Sequence, residues 1–123
     1  MTKIPCKALV ELYSNPSLSK IQELVYEEYV KNGYKGIWDS NDVSDTIKYK
    51  FDLAELGLII TEISEAMEEI RNGNYDKKLG EELADIIIHT LNFASRNNIN
   101  IESKIIEKHY KNMERKKLHG RKV

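Results

Sequence analysis

The sequence predicts an all-α protein built as a four-helix bundle, and three observations carry that expectation. From Leu18 onward, apolar residues recur at the three- and four-residue spacing of a helix face. Both prolines, Pro5 and Pro16, precede those stretches, so nothing downstream interrupts a long helix. The segments between the periodic runs hold the Gly, Asn and Asp residues that end helices. With 123 residues, 41% hydrophobic and 32% charged, the chain can bury one core. A single domain is expected over residues 1–123, with an N-terminal extension at 1–17 and a basic tail at 118–123. There is no internal repeat and no low-complexity segment.

The first helix is expected from Leu18 to Asn32, with Ile21, Leu24, Val25 and Tyr29 on one face and Gly33 as its stop. Tyr34 to Asp45, rich in Gly, Asn, Asp and Ser around Ile37 and Trp38, reads as a loop. A long second helix should begin near Asp45 or Thr46 and run to Asn72. Its wide apolar stripe comprises Leu56, Ile59, Ile60, Ile63, Ala66, Met67 and Ile70. Asp76 is a candidate N-cap for the third helix, which runs through Leu79, Leu83, Ile86, Ile87, Leu91 and Ala94 towards Arg96 and Asn97. Asn100 can cap the fourth, whose Ile101, Ile105 and Ile106 are expected to pack inward. The tail beyond Lys117 is expected to be extended. The apolar stripe of the second helix is wider than so short a chain needs, which predicts burial against another copy, a homodimer or a dimer of dimers.

The formal net charge of −1 argues against general nucleic-acid binding. That average conceals a division. Asp52 to Asp85 holds ten acidic and three basic residues, whereas Lys104 to Val123 holds eight basic and two acidic. No stretch approaches the about 18 apolar residues of a membrane span, and Met1 to Leu12 lacks a continuous apolar core, so a soluble cytoplasmic protein without membrane association is expected. Cys6 is alone, can form no internal disulfide, and is assigned no role.

The acidic centre has order within it. At about 100° per residue, Glu62 and Glu65 lie about 60° apart on the second helix and can enter one site; Glu82 and Asp85 repeat the spacing on the third. On that helix Leu83, Ile86, Ile87, Ile88 and Leu91 occupy most of the circumference, leaving Glu82, Asp85, His89, Asn92 and Arg96 in one polar stripe. Carboxylates converging in a partly buried place repel one another and take up protons unless a cation neutralises them. All-oxygen donors favour a hard ion, Mg²⁺ or Mn²⁺, and the scarcity of Cys and His disfavours zinc. An isolated Glu-x-x-Glu is common on solvated helices, and Glu68 and Glu69, beside Arg71, are explained by helical charge pairing. Glu81 projects to another side of its helix and is left out of the site.

Glu62-Ile63-Ser64-Glu65, then sixteen residues, then Glu82-Leu83-Ala84-Asp85 resembles the all-α nucleoside triphosphate pyrophosphohydrolases of the MazG-like family. The surrounding text, LAELGLIITEISEAMEEIRNG and LGEELADIIIHTLNFA, is similar to the two central helices of those enzymes. Lys108, Asn112 and Arg115, followed by His119 and Gly120, are similar to the series that closes many of them. His109 and the Lys116-Lys117 pair depart from that series, and the first fifty residues match only loosely, which leaves the base and sugar preference open.

The resemblance implies a bundle that works as a dimer or a dimer of dimers. It implies that Glu62, Glu65, Glu82 and Asp85 are metal ligands and catalytic groups holding Mg²⁺ (or Mn²⁺) against a nucleoside triphosphate. The implied reaction is attack of a metal-activated water on the α-phosphorus, giving the monophosphate and pyrophosphate, with no covalent nucleophile. Lys108, Asn112 and Arg115 stand four and three residues apart, so one side of a helix presents them as phosphate or sugar contacts. His89 is a substrate contact or a hydrogen-bonded interhelical histidine, and Trp38 stacks on a base or closes the end of the bundle. Three alternatives remain: a non-catalytic nucleotide-binding or regulatory bundle that retains the metal site, a helical interaction protein whose charges only solvate it, and a di-iron bundle, which the lack of Glu-x-x-His pairs disfavours.

Overall fold

In a computed structural model, residues 14–33 and 44–119 are described, with side chains as far as residue 115. They form four helices, α1 Leu18–Lys31, α2 Asp45–Arg71, α3 Lys77–Arg96 and α4 Ile101–His119, with no strand among the described residues. The all-α expectation holds, and the helix bounds fall within a residue or two of those read from periodicity and caps. Trp38 and Gly120 lie outside the described residues, as does the side chain of His119.

The ends have local causes. The Ser17 hydroxyl accepts the Lys20 N–H (3.1 Å) at the start of α1, the Ser44 hydroxyl accepts the Ile47 N–H (3.3 Å) at the start of α2, and Asn100 Oδ1 accepts the Ser103 N–H (3.0 Å) at the start of α4. Asp76 occupies the N-cap position of α3, but its side chain makes no capping bond. Gly33, Gly73 and Asn98 adopt φ of 87°, 77° and 57°, the left-handed conformation with which helices stop.

α2 and α3 run antiparallel as the central pair, α1 packs on α3, and α4 packs chiefly on α1. Two features of α4 differ from expectation. It continues as helix to His119 instead of ending near Lys117, and Ile105 and Ile106 are 52% and 64% exposed instead of packing inward. The cause is where α4 lies: Glu102 ties its first turn to α1, and the helix then leaves the α2–α3 pair. Glu102 Oε1 accepts the N–H groups of Leu18 (2.8 Å) and Ser19 (3.2 Å), while Oε2 accepts the Ser19 hydroxyl (3.0 Å). Those bonds hold its pKa below the usual carboxylate value. Beside it, buried Gln22 donates from Nε2 to Ser95 Oγ (3.0 Å) and the Ile99 carbonyl (2.8 Å), and its Oε1 accepts the Ile101 N–H (3.1 Å). A helix from early in the chain is thereby fixed to the α3–α4 corner.

The tightest packing, at Ala66, Leu91 and Ala94, lies along the α2–α3 line and the C-terminal half of α3. Apart from half-buried Ile59, the rest of the predicted apolar stripe of α2 is not covered within one chain. Leu56, Ile60, Ile63, Met67 and Ile70 of α2, and Leu83 and Ile87 of α3, are all exposed, so α3 is not the mostly buried helix its sequence suggests.

At the end of that core, Arg96 is the central cation. Its side chain is 1% exposed, and Nη2 donates to Asp52 Oδ1 of α2 (3.0 Å) while Nη1 donates to the Tyr29 hydroxyl of α1 (2.9 Å). Glu55 Oε2 lies 3.9 Å from Nη1, and the guanidinium lies over the rings of Phe51 and Phe93 at 5.2 and 5.3 Å. Burial, then the nearby Glu55 charge, push the Tyr29 hydroxyl pKa up against the opposing Arg96 charge. This cluster joins α1, α2 and α3 and sets their register.

Candidate metal centre

That register brings the acidic pairs together. Glu62 of α2 and Glu82 and Asp85 of α3 each offer a carboxylate oxygen, and these lie within 4.8 Å of one another. Such spacing is what several oxygen ligands of one hard cation require before they close on it. Glu65, one turn from Glu62 on α2, lies close enough to Glu62 and Glu82 for its charge to raise the pKa of both. It borders the converging trio and is exposed to solvent.

The electrostatics favour a bound cation. Burial, then the Glu65 charge, raise the pKa of Glu62, with His89 opposing; burial, then Glu65, raise that of Glu82. Glu82 Oε2 is shut from solvent and has no hydrogen-bond partner. A buried carboxylate oxygen without a donor is costly, and a divalent cation relieves that cost without a proton. The donor set is entirely oxygen, so the residues present fit Mg²⁺ or Mn²⁺.

His89, one turn beyond Asp85, places Nε2 3.5 Å from Glu62 Oε1, its side chain 34% exposed and that of Glu62 15%. It therefore lies at the rim of the carboxylates, partly exposed. Lys108, Asn112 and Arg115 are exposed on α4. Because α4 packs chiefly on α1, these three are not gathered with the carboxylates as His89 is. A shallow groove on α4 is lined by Lys104, Ile105, Lys108, His109 and Asn112.

The family model for the MazG nucleotide pyrophosphohydrolase domain matches residues 53–119. The chain belongs to the MazG family. No curated protein and no solved structure matches it. The MazG region takes in most of α2 and all of α3 and α4, hence Glu62, Glu65, Glu82, Asp85, His89 and the three α4 residues. The family points to nucleotide pyrophosphohydrolase activity and to a divalent metal, and in this chain an acidic cluster able to hold one lies on the two central MazG helices. α1 and Trp38 lie outside the matched MazG segment.

Two features of this site were not assigned from sequence. Arg96 and Asn92 fall in the polar stripe by spacing alone, but that Arg96 binds Asp52 and Tyr29 depends on contacts 44 and 67 residues apart. Glu102, acting on α1 across 84 residues, had no local signal at all.

Proposed function

We propose that the protein is a Mg²⁺-dependent pyrophosphohydrolase that converts a ribo- or deoxyribonucleoside triphosphate to its monophosphate and pyrophosphate. Water attacks the α-phosphorus; a bond from the water oxygen to that phosphorus forms as the bond to the α,β-bridging oxygen breaks, and pyrophosphate departs with that oxygen. The observation carrying this reading is the convergence of Glu62, Glu82 and Asp85, with the orphaned Glu82 Oε2, inside the segment that matches the MazG domain.

Glu62, Glu65, Glu82 and Asp85 are assigned as the metal-holding and catalytic residues. The divalent cation that these carboxylates would hold would neutralise nonbridging phosphate oxygens and lower the pKa of water. The carboxylates orient the attacking water, and one of them accepts its proton. His89 contacts the substrate from the rim. Lys108, Asn112 and Arg115 hold phosphate or sugar oxygens, and Trp38 stacks on the base. The exposed apolar residues of α2 and α3 support self-association of one-domain chains, as a dimer or a dimer of dimers, and the nucleotide substrate fits a cytoplasmic location.

The test is incubation of purified protein with a panel of ribo- and deoxyribonucleoside triphosphates and Mg²⁺, resolving pyrophosphate from orthophosphate. Pyrophosphate release that disappears in Glu62→Gln and Asp85→Asn is the expected result. Orthophosphate release overturns the cleavage site, and nucleotide binding without turnover identifies a binding module instead.

A further inference from the structure

Asn92 lies on α3 seven residues beyond Asp85. At 3.6 residues per turn it returns to within about 20° of the azimuth of Asp85, carried about 10 Å along the axis. His89 stands between them and Arg96 follows, so all four occupy one edge of the helix. The partners of its neighbours show where that edge faces: His89 meets Glu62 of α2, and Arg96 meets Asp52 of α2 and Tyr29 of α1. Asn92 therefore faces the seam of α3 with α2, between the level of Glu62 and the level of Asp52.

Asn92 is 7% exposed, and its Oδ1 is shut from solvent with no hydrogen-bond partner. Other polar groups of this core are treated differently. The amide of Gln22 makes three bonds, and Asn97, five residues beyond Asn92, donates to the Phe93 carbonyl at 3.0 Å. A residue serving only to fill the seam would be apolar, since a buried unpaired carbonyl costs free energy that a leucine of similar size does not. The unpaired oxygen lies on the edge that carries the metal-binding residue Asp85, about 10 Å further along. That distance is the length of a sugar and base.

Resting on the function proposed above, we infer that Asn92 is a specificity-determining residue whose Oδ1 accepts a hydrogen bond from a donor on the nucleoside of the bound substrate. The donor is an N–H of the base or an O–H of the sugar. The triphosphate then extends the opposite way, from the carboxylates towards the start of α3, where Lys77 and Lys78 stand in the first turn. A nucleotide lacking the donor leaves the buried oxygen unpaired and is discriminated against, by a stronger effect than loss of an apolar contact would give.

The experiment uses the full-length protein and nucleoside triphosphates that differ by one donor group: guanosine against inosine, cytidine against pyrimidin-2-one riboside, and ribose against 2′-deoxy and 3′-deoxy sugars. Each is assayed with wild type and Asn92→Leu for KM and kcat, alongside Mg²⁺ affinity. The expected result is that one donor deletion raises the wild-type KM by about tenfold or more. Asn92→Leu raises KM by a similar factor for the donor-bearing substrate, adds little for the donor-less one, acts on KM more than on kcat, and leaves Mg²⁺ affinity in place. The base pairs and the sugar series separate the two sources of the donor. The inference is overturned if Asn92→Leu lowers kcat/KM equally for every nucleotide, or if no donor deletion alters the wild-type KM; the second outcome stands whether or not the variant folds. Wild-type protein that releases pyrophosphate from no nucleotide removes the proposed function and this inference together, whereas turnover indifferent to every donor removes this inference alone.

Discussion

If the carboxylates of α2 and α3 hold a divalent cation, Mg²⁺ should stabilise the protein and Glu82→Gln should remove most of that stabilisation while raising the stability of the metal-free form. The two halves have one cause. Glu62 and Glu82 have raised folded-state pKa values, so protonation favours the fold: their contribution is complete below the unfolded carboxyl pKa and is lost as pH rises through the raised folded value. At neutral pH the metal-free wild type bears the unrelieved repulsion, and removing one charge raises its Tm. For 123 residues, an unfolding entropy of about 2.1 cal/mol/K per residue makes 1 kcal/mol worth about 4 °C. Mg²⁺ at about 100 times its Kd adds about 2.7 kcal/mol, hence about 10 °C. If the variant binds at least about 100-fold more weakly, as loss of even a supporting partner can cause, the same Mg²⁺ moves it by about 2 °C. The assay is thermal unfolding followed by circular dichroism, with NaCl matching ionic strength so that general screening cancels. Equal shifts in the two proteins, or a metal-free variant less stable than wild type, would refute the reasoning.

Further outcomes follow from the packing. Glu102→Gln should lower Tm at neutral pH by loosening α1 from α4; because the Glu102 pKa is depressed, its contribution is present above the unfolded carboxyl pKa and lost as pH falls through the folded one, so the gap between variant and wild type should close in an acid titration. Arg96→Met should cost about 3–5 kcal/mol in urea unfolding, since it leaves Asp52 and Glu55 without their shared cation; a cost under about 1 kcal/mol would mean that the cluster behaves as a surface ion pair. Ile60→Asp, at a side chain 67% exposed within one chain, should shift the light-scattering mass from oligomer to monomer, and a monomeric wild type would end the self-association reading.

Helix positions were legible because periodicity, Ser caps and left-handed stops are local signals: Gly33, Gly73 and Asn98 end their helices where the sequence says they should. The acidic cluster was legible for a related reason, since Glu82 and Asp85 lie within about 60° of each other on their helix and so do Glu62 and Glu65, and a short loop forces α2 and α3 to lie side by side. The path of α4 was not. Its isoleucines have inward spacing, but spacing defines a face without naming what covers it, and Glu102 directs the helix to α1 through bonds that span more than 80 residues. For the same reason Lys108, Asn112 and Arg115 could be placed on one side of a helix from sequence, but not set against the carboxylates. The burial of α3 was overestimated because apolar girth is counted alike whether a neighbouring helix or a second chain covers it.

The same seam holds its negative charge in two ways, and the contrast bears on what the upper carboxylates are for. At the lower end Asp52 and Glu55 face Arg96, a cation supplied by the chain and fixed by Tyr29 and two aromatic rings. At the upper end Glu62, Glu65, Glu82 and Asp85 meet, and among the described residues no Lys or Arg pairs with any of them; the basic partner present is His89, 3.5 Å from Glu62. A fold able to position one arginine in this seam could position a second, and at the upper end it has an open-edged histidine instead. The unneutralised end is thus suited to a cation that arrives with, or is completed by, a phosphate ligand, because a permanent arginine there would occupy the positions that such a ligand needs. This division also makes the site separable from the scaffold: changes at Arg96 should lower stability with little effect on Mg²⁺ affinity, whereas Glu82→Gln should weaken Mg²⁺ binding without lowering the stability of the metal-free protein.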